Sequence, residues 1–188
     1  MLVQERVTEV LNSFFSNSKK DIEFEIMMNE KWKAIEEELK KVIGKGKIGK
    51  GADIEMTINS LQFISMLPKK NIVTYSLKEI KEGDLNKLYR NLQKRYSKDG
   101  IYSVGPKIAS FYLRDLVSLF DYDKYINEDD SILLQPIDTW IRQVAFNIGL
   151  TNKRNQNDKE VRDIIVSECN KHGLSPIKFN QGAWFFRI

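Results

Sequence analysis

Apolar residues recur at helical spacing along most of the chain. Val3, Val7, Val10, Leu11 and Phe14 return every few positions over 2–15. Trp32, Ile35, Leu39, Val42 and Ile43 line one face over 32–43, with Glu36, Glu37, Lys40 and Lys41 elsewhere. Stripes of this period predict amphipathic helices that bury one face. Further helices are predicted over 59–66, ended by Pro68; over 84–96, with Asp84 as N-cap; over 106–120; over 138–148; and over 161–171, stopped by Gly173. A last helix starts at Ser175-Pro176, a capping serine followed by a proline suited to the first helical position. Alternating strand-like runs are scarce and no internal repeat is present. The pattern therefore predicts an all-α fold with seven or more helices. The stretch 44–51, GKGKIGKG, lacks the spacing of a phosphate-binding P-loop and is read as a flexible loop whose lysines can graze a DNA backbone.

Composition narrows the class. At 188 residues and 41% hydrophobic, the chain suits one domain or two packed lobes around a real core, not a disordered tail. A single cysteine, Cys169, excludes an internal disulfide and a four-cysteine iron–sulfur site. With the single histidine, His172, it makes a poor metal site, so no metal and no cofactor is expected. The stretch 1–11 is amphipathic and charged, without the apolar core of a signal peptide, and no segment is apolar enough to span a membrane. A soluble, intracellular protein is expected. Thirty Lys and Arg against 26 acids give a net charge of +4, which suits contact with phosphates without requiring it.

The most informative segment is Gly100-Ile-Tyr-Ser-Val-Gly-Pro-Lys107, between two predicted helices. Gly105 permits a tight turn and Pro106 is preset for a first helical turn. Amides of Ser103, Val104 and Gly105 at a helix N-terminus would form an anion site, with DNA phosphate the natural ligand. Taken alone, the segment also fits an ordinary helix–helix turn.

VGPKIASFYLRD resembles the second half of the helix-hairpin-helix motif in the base-excision DNA glycosylase superfamily, with Val104, Gly105 and Lys107 on the matching positions. Tyr102-Ser103 stand where the motif has Pro-Gly; a serine there requires either negative φ or a hairpin of different shape. Gln135-Pro-Ile-Asp-Thr-Trp-Ile-Arg-Gln-Val-Ala145 is similar to the segment carrying the superfamily's catalytic aspartate, which falls on Asp138. The resemblance implies a single glycosylase domain over 1–188, with two helical lobes beside a central cleft and the hairpin at about 84–120. It implies a monomer acting on double-stranded DNA that contains an oxidised base, with Lys107 and Asp138 catalytic.

That chemistry has physical requirements. Breaking an N-glycosidic bond leaves positive charge on the sugar, which a carboxylate such as Asp138 stabilises. An Asp heading a helix also reads as a plain N-cap. Lys107 can attack the sugar C1′ only as a free amine, a form favoured by burial and by a helix N-terminal dipole. A lysine at this position implies lyase activity: base removal followed by β-elimination. The base must be flipped into a pocket that stacks on it and reads its edge. The tail Phe179-Asn-Gln-Gly-Ala-Trp-Phe-Phe186 resembles that of the 8-oxoguanine enzymes in two registers. One matches Gln181 and Phe185 to the eukaryotic-type enzymes. The other matches Asn180 and Trp184 to the archaeal GO glycosylases, with Trp32 of Asn-Glu-Lys-Trp as a second stacking ring. The archaeal register also suits the long stretch between Lys107 and Asp138. As a continuous helix, the tail would put Asn180 with Trp184, and Gln181 with Phe185, on shared faces. Three other readings stand: a glycosylase for another oxidised base, a non-catalytic helix-hairpin-helix DNA-binding module, and a general structural protein.

Overall fold

The structure, a computed structural model, describes residues 51–186 and positions 34, 35, 37, 38 and 41. The helix expected over 2–15, Trp32 and most of the 44–51 loop lie outside the described residues. Positions 34, 35, 37, 38 and 41 are helical, as the pattern over 32–43 predicts, and Ile35 is buried. Among the described residues the fold is all-α, with eight helices from Gly51 onward and no strand. No helix among them is long and apolar enough to cross a membrane.

The chain divides into two compact units, Met1–Asn71 with Ile101–Ser103, and Ile72–Gly100 with Val104–Ile188. In the first, helix α1 spans Gly51–Met66 and buries Ile58 and Phe63. It starts eight residues before the predicted onset. Ala52, Ile54, Met56 and Ile58 alternate with polar or small residues, a strand-like period that masks the helix.

The second unit holds α2 (Ile72–Lys81), α3 (Leu85–Asn91), α4 (Pro106–Leu119), α5 (Glu128–Ser131), α6 (Thr139–Asn147), α7 (Asp158–Lys171) and α8 (Pro176–Gly182). Short 3₁₀ turns cover Asp123–Tyr125, Ile132–Leu134 and Ala183–Phe185. Helix α2 has no counterpart in the sequence expectations. Its buried residues are Ser76, Glu79 and Ile80, and Val73 and Leu77 are half-buried; the apolar spacing 73, 77, 80 is a helical signal that the sequence reading passed over. Those polar groups have partners: Ser76 Oγ lies 3.0 Å from Tyr112 Oη, and Glu79 pairs with Lys87 at 3.2 Å.

Helix α3 stops at Asn91, short of the predicted end at 96. The chain folds back at Gln93, whose Nε2 donates to Tyr89 O at 2.8 Å and whose backbone O accepts from Tyr96 and Ser97. Gly100 closes this turn; a Cβ there would sit 2.4 Å from the Gln93 carbonyl carbon, so only glycine fits. Asp84 occupies the N-cap position without capping through its side chain, which instead pairs with Lys87 at 3.3 Å.

The core beside the C-terminal half joins Ile137, Ile141, Val144 and Ala145 to Val161, Ile165 and Cys169 of α7 and to Ala183, with Trp140, Leu150 and Phe179 packed around it. Each fully buried Ile here contributes about 1.5–3 kcal/mol. Asn157 caps α7, its Oδ1 accepting from Glu160 N at 3.0 Å, and Ser175 caps α8.

Candidate active site

Helix α4 begins at Pro106 with Gly105 as N-cap, so Lys107 is the second helical residue and is exposed. The helix N-terminal field that the sequence suggested is present at Lys107; the burial is not. Phe111 and Arg114 lie four and seven positions further on, which puts them on the Lys107 face. Phe111 packs against Trp184, ring centroids 6.0 Å apart and planes tilted by 54°. The Arg114 guanidinium lies 4.8 Å from the Phe111 ring centroid. One helix face thus runs from the candidate nucleophile to the candidate stacking ring. Sequence reading missed Phe111 and Arg114, although their spacing from Lys107 pointed to them.

Asp138 is the N-cap of α6, and its Oδ1 accepts from Ile141 N at 2.8 Å. Its other carboxylate oxygen has no hydrogen-bond partner among the described residues. Capping and an available carboxylate oxygen therefore coexist in one side chain. The segment leading into Asp138 is pinned. Arg162 Nε donates to Gln135 O at 3.0 Å, Asn180 Nδ2 donates to Pro136 O at 3.3 Å, and Ile137 is buried.

Asn180 is fully buried. Its Oδ1 accepts from Arg114 Nη1 at 2.6 Å while its Nδ2 reaches Pro136, so both ends of the amide are engaged. Arg114 is itself buried and also donates to Asp115 at 2.7 Å and 2.9 Å. Asn180 thereby clasps α4, which carries Lys107, to the segment that delivers Asp138. It has no free polar atom for reading a base edge. Gln181 differs: it is half-buried, its Oε1 accepts from Ser118 at 3.0 Å, and its amide nitrogen has no partner among the described residues.

The tail is not one helix. It is α-helical to Gly182 and then tightens into the 3₁₀ turn Ala183–Phe185, fixed by Trp140 Nε1 donating to Ala183 O at 2.8 Å. The change of pitch breaks the shared faces expected of the tail. Asn180 is buried while Trp184 is 46% exposed, and Gln181 is half-buried while Phe185 is 86% exposed. Phe186 is exposed as well, and only Phe179 serves the core.

In the hairpin, the left-handed residue is Ser103, at φ +62°. Of the two alternatives the sequence left for a serine here, negative φ is not met, and a hairpin of different shape is the one left. Gly105, which the sequence marked for a tight turn, is extended at φ −101°, ψ −178°. A Cβ on Gly105 would meet nothing within 4 Å. Neither backbone conformation nor internal packing requires a glycine there.

Other reactive groups are unsuited to chemistry. Cys169 is buried, and desolvation followed by the Glu168 charge pushes its thiol up, so it stays protonated. No cluster of three or more His, Cys, Asp or Glu able to hold a metal occurs among the described residues. Comparison of the chain with protein-family models, with curated proteins and with solved structures gives no match.

Proposed function

We propose that the chain is a helix-hairpin-helix DNA glycosylase with abasic-site lyase activity that removes 8-oxoguanine from duplex DNA. The observation that carries this reading is the Asn180 clasp. It joins the helix bearing Lys107 to the segment bearing Asp138, and Trp184 stands on the Lys107 face through Phe111. Gly105 adds support, because open space at a glycine of ordinary backbone conformation suits close approach by an outside group such as a phosphate.

In this reading the extrahelical base stacks on Trp184, and Gln181 reads its edge with its unpartnered amide nitrogen. As the glycosidic bond breaks, its electron pair leaves with the base and the free oxygen of Asp138 faces the developing positive charge on the sugar. The Lys107 amine bonds to C1′, the ring opens to a Schiff base, and loss of a C2′ proton expels the 3′ phosphate. Lys107 stands in water in the free protein, so bound duplex supplies its desolvation. Asn180 serves the site by clasping these elements.

The test is borohydride trapping on duplexes with a single 8-oxoguanine or thymine glycol. Wild type should trap on 8-oxoguanine, and Lys107→Gln should lose the adduct while melting as wild type does. Trapping by the mutant at wild-type level would assign the nucleophile elsewhere. Trapping on thymine glycol alone would change the lesion class. The exposure of Lys107 favours a second reading, a non-catalytic DNA-binding hairpin, which would bind duplex and trap on neither substrate.

A further inference from the structure

We infer that the end of α3 and the turn after it are a second duplex-DNA contact, separate from the hairpin amides, that grips backbone phosphate through Arg90 and Arg95. Both guanidinium carbons lie 5.6 Å from the centroid of the exposed Tyr96 ring. Elsewhere among the described residues of this unit the cation–π pairs occur singly: Arg114 with Phe111, Lys124 with Tyr125 and Arg154 with Phe146. A ring shared by two arginines fixes both side chains and lowers the entropy lost on binding, while their N–H edges stay available. Neither arginine has an ion-pair partner among the described residues.

The platform beneath them is stiff. Tyr96 N and Ser97 N donate to Gln93 O at 3.0 and 3.1 Å, and Gly100 N donates to Ser97 O at 3.1 Å. Lys94 Nζ donates to the carbonyl of Lys98, drawing two more cations into the same turn. Asp99 is the one acid among residues 90–100, against four Lys or Arg: Arg90, Lys94, Arg95 and Lys98. Two planar forks on a cationic turn suit phosphate oxygens, which accept the paired N–H donors of a guanidinium. The choice of duplex DNA as the polyanion rests on the proposed function.

The test measures binding of the full chain to an undamaged DNA duplex by fluorescence anisotropy across a salt series. Arg90→Gln/Arg95→Gln should melt as wild type does, because both side chains are exposed. Its slope of log affinity against log salt should shrink by about 1.8, at about 0.9 per phosphate contact. Arg90→Lys/Arg95→Lys should restore the slope but not all the affinity, and Tyr96→Leu should weaken binding without changing the charge. An unchanged slope in the glutamine variant overturns the inference, as does a loss confined to heparin as competitor polyanion. Borohydride trapping separates the two readings. A wild type that traps on no lesion, with a slope that still falls in the variant, overturns the glycosylase and leaves this contact standing. A wild type that traps, with an unchanged slope, does the reverse.

Discussion

At the scale of single residues, the hairpin holds two side-chain choices that look exchanged. Ser103 takes the left-handed conformation that suits glycine, and Gly105 takes an extended one open to any residue. A non-glycine residue in that region costs roughly 1–2 kcal/mol, less the backbone entropy a glycine would lose. Ser103→Gly should therefore stabilise the protein by about 1 kcal/mol, read as a higher urea midpoint with unchanged m-value. Gly105→Ala should leave stability within about 1 kcal/mol, since reduced unfolded-state entropy and weaker N-capping oppose each other. Duplex affinity should nonetheless fall, by roughly 10- to 100-fold if one charge-assisted amide–phosphate bond is lost. Wild-type affinity in Gly105→Ala would mean that no phosphate approaches this position.

At the scale of elements, legibility followed the chemistry of each buried face. Helices α4 and α6 were readable because a capping or proline signal precedes an apolar stripe, Gly105-Pro106 for α4 and Asp138 for α6. Helix α7 was readable from its stripe and its stop at Gly173, but its Asn157 cap and its start at Asp158 were missed. Helix α2 was passed over although Val73, Leu77 and Ile80 recur at helical spacing; no capping signal precedes them, and Ser76 and Glu79 on the buried side find partners only in the folded chain. The end of α3 was hidden because it depends on Gly100 seating against Gln93, seven residues away. The tail was half legible: Ser175 and Pro176 marked its start, but the tightening at Ala183 depends on Trp140, 43 residues earlier. That tightening puts Trp184 on the surface against Phe111. Trp184→Ala should reduce excision of 8-oxoguanine by roughly 10- to 100-fold, the worth of one aromatic–base stack of about 1–3 kcal/mol. Lyase activity on a preformed abasic site should fall much less, because no base remains to stack. Equal losses on both substrates would remove Trp184 from the base pocket.

At the scale of the whole molecule, the fold class and the positions of Lys107 and Asp138 at helix starts were readable locally, whereas their connection was not. It runs through Asn180 to Arg114, 66 residues away, and to Pro136, 44 residues away, and no sequence window contains such a link. The same fact separates two roles for Asn180. A base-reading amide would affect excision alone and leave the fold untouched. A buried clasp affects everything it holds together. Asn180→Ala removes the acceptor for Arg114 Nη1 and the donor to Pro136 O, and leaving such buried partners unsatisfied costs about 1–3 kcal/mol each. The expected outcome is a lower melting temperature together with losses of similar size in excision and in abasic-site cleavage, because Lys107 and Asp138 lose their common reference. The activities should be compared well below the mutant's melting temperature, so that unfolding does not imitate the effect. A mutant that melts as wild type does, cleaves abasic DNA normally and fails only on 8-oxoguanine would return Asn180 to the base pocket and remove the clasp as the link between the two proposed catalytic elements.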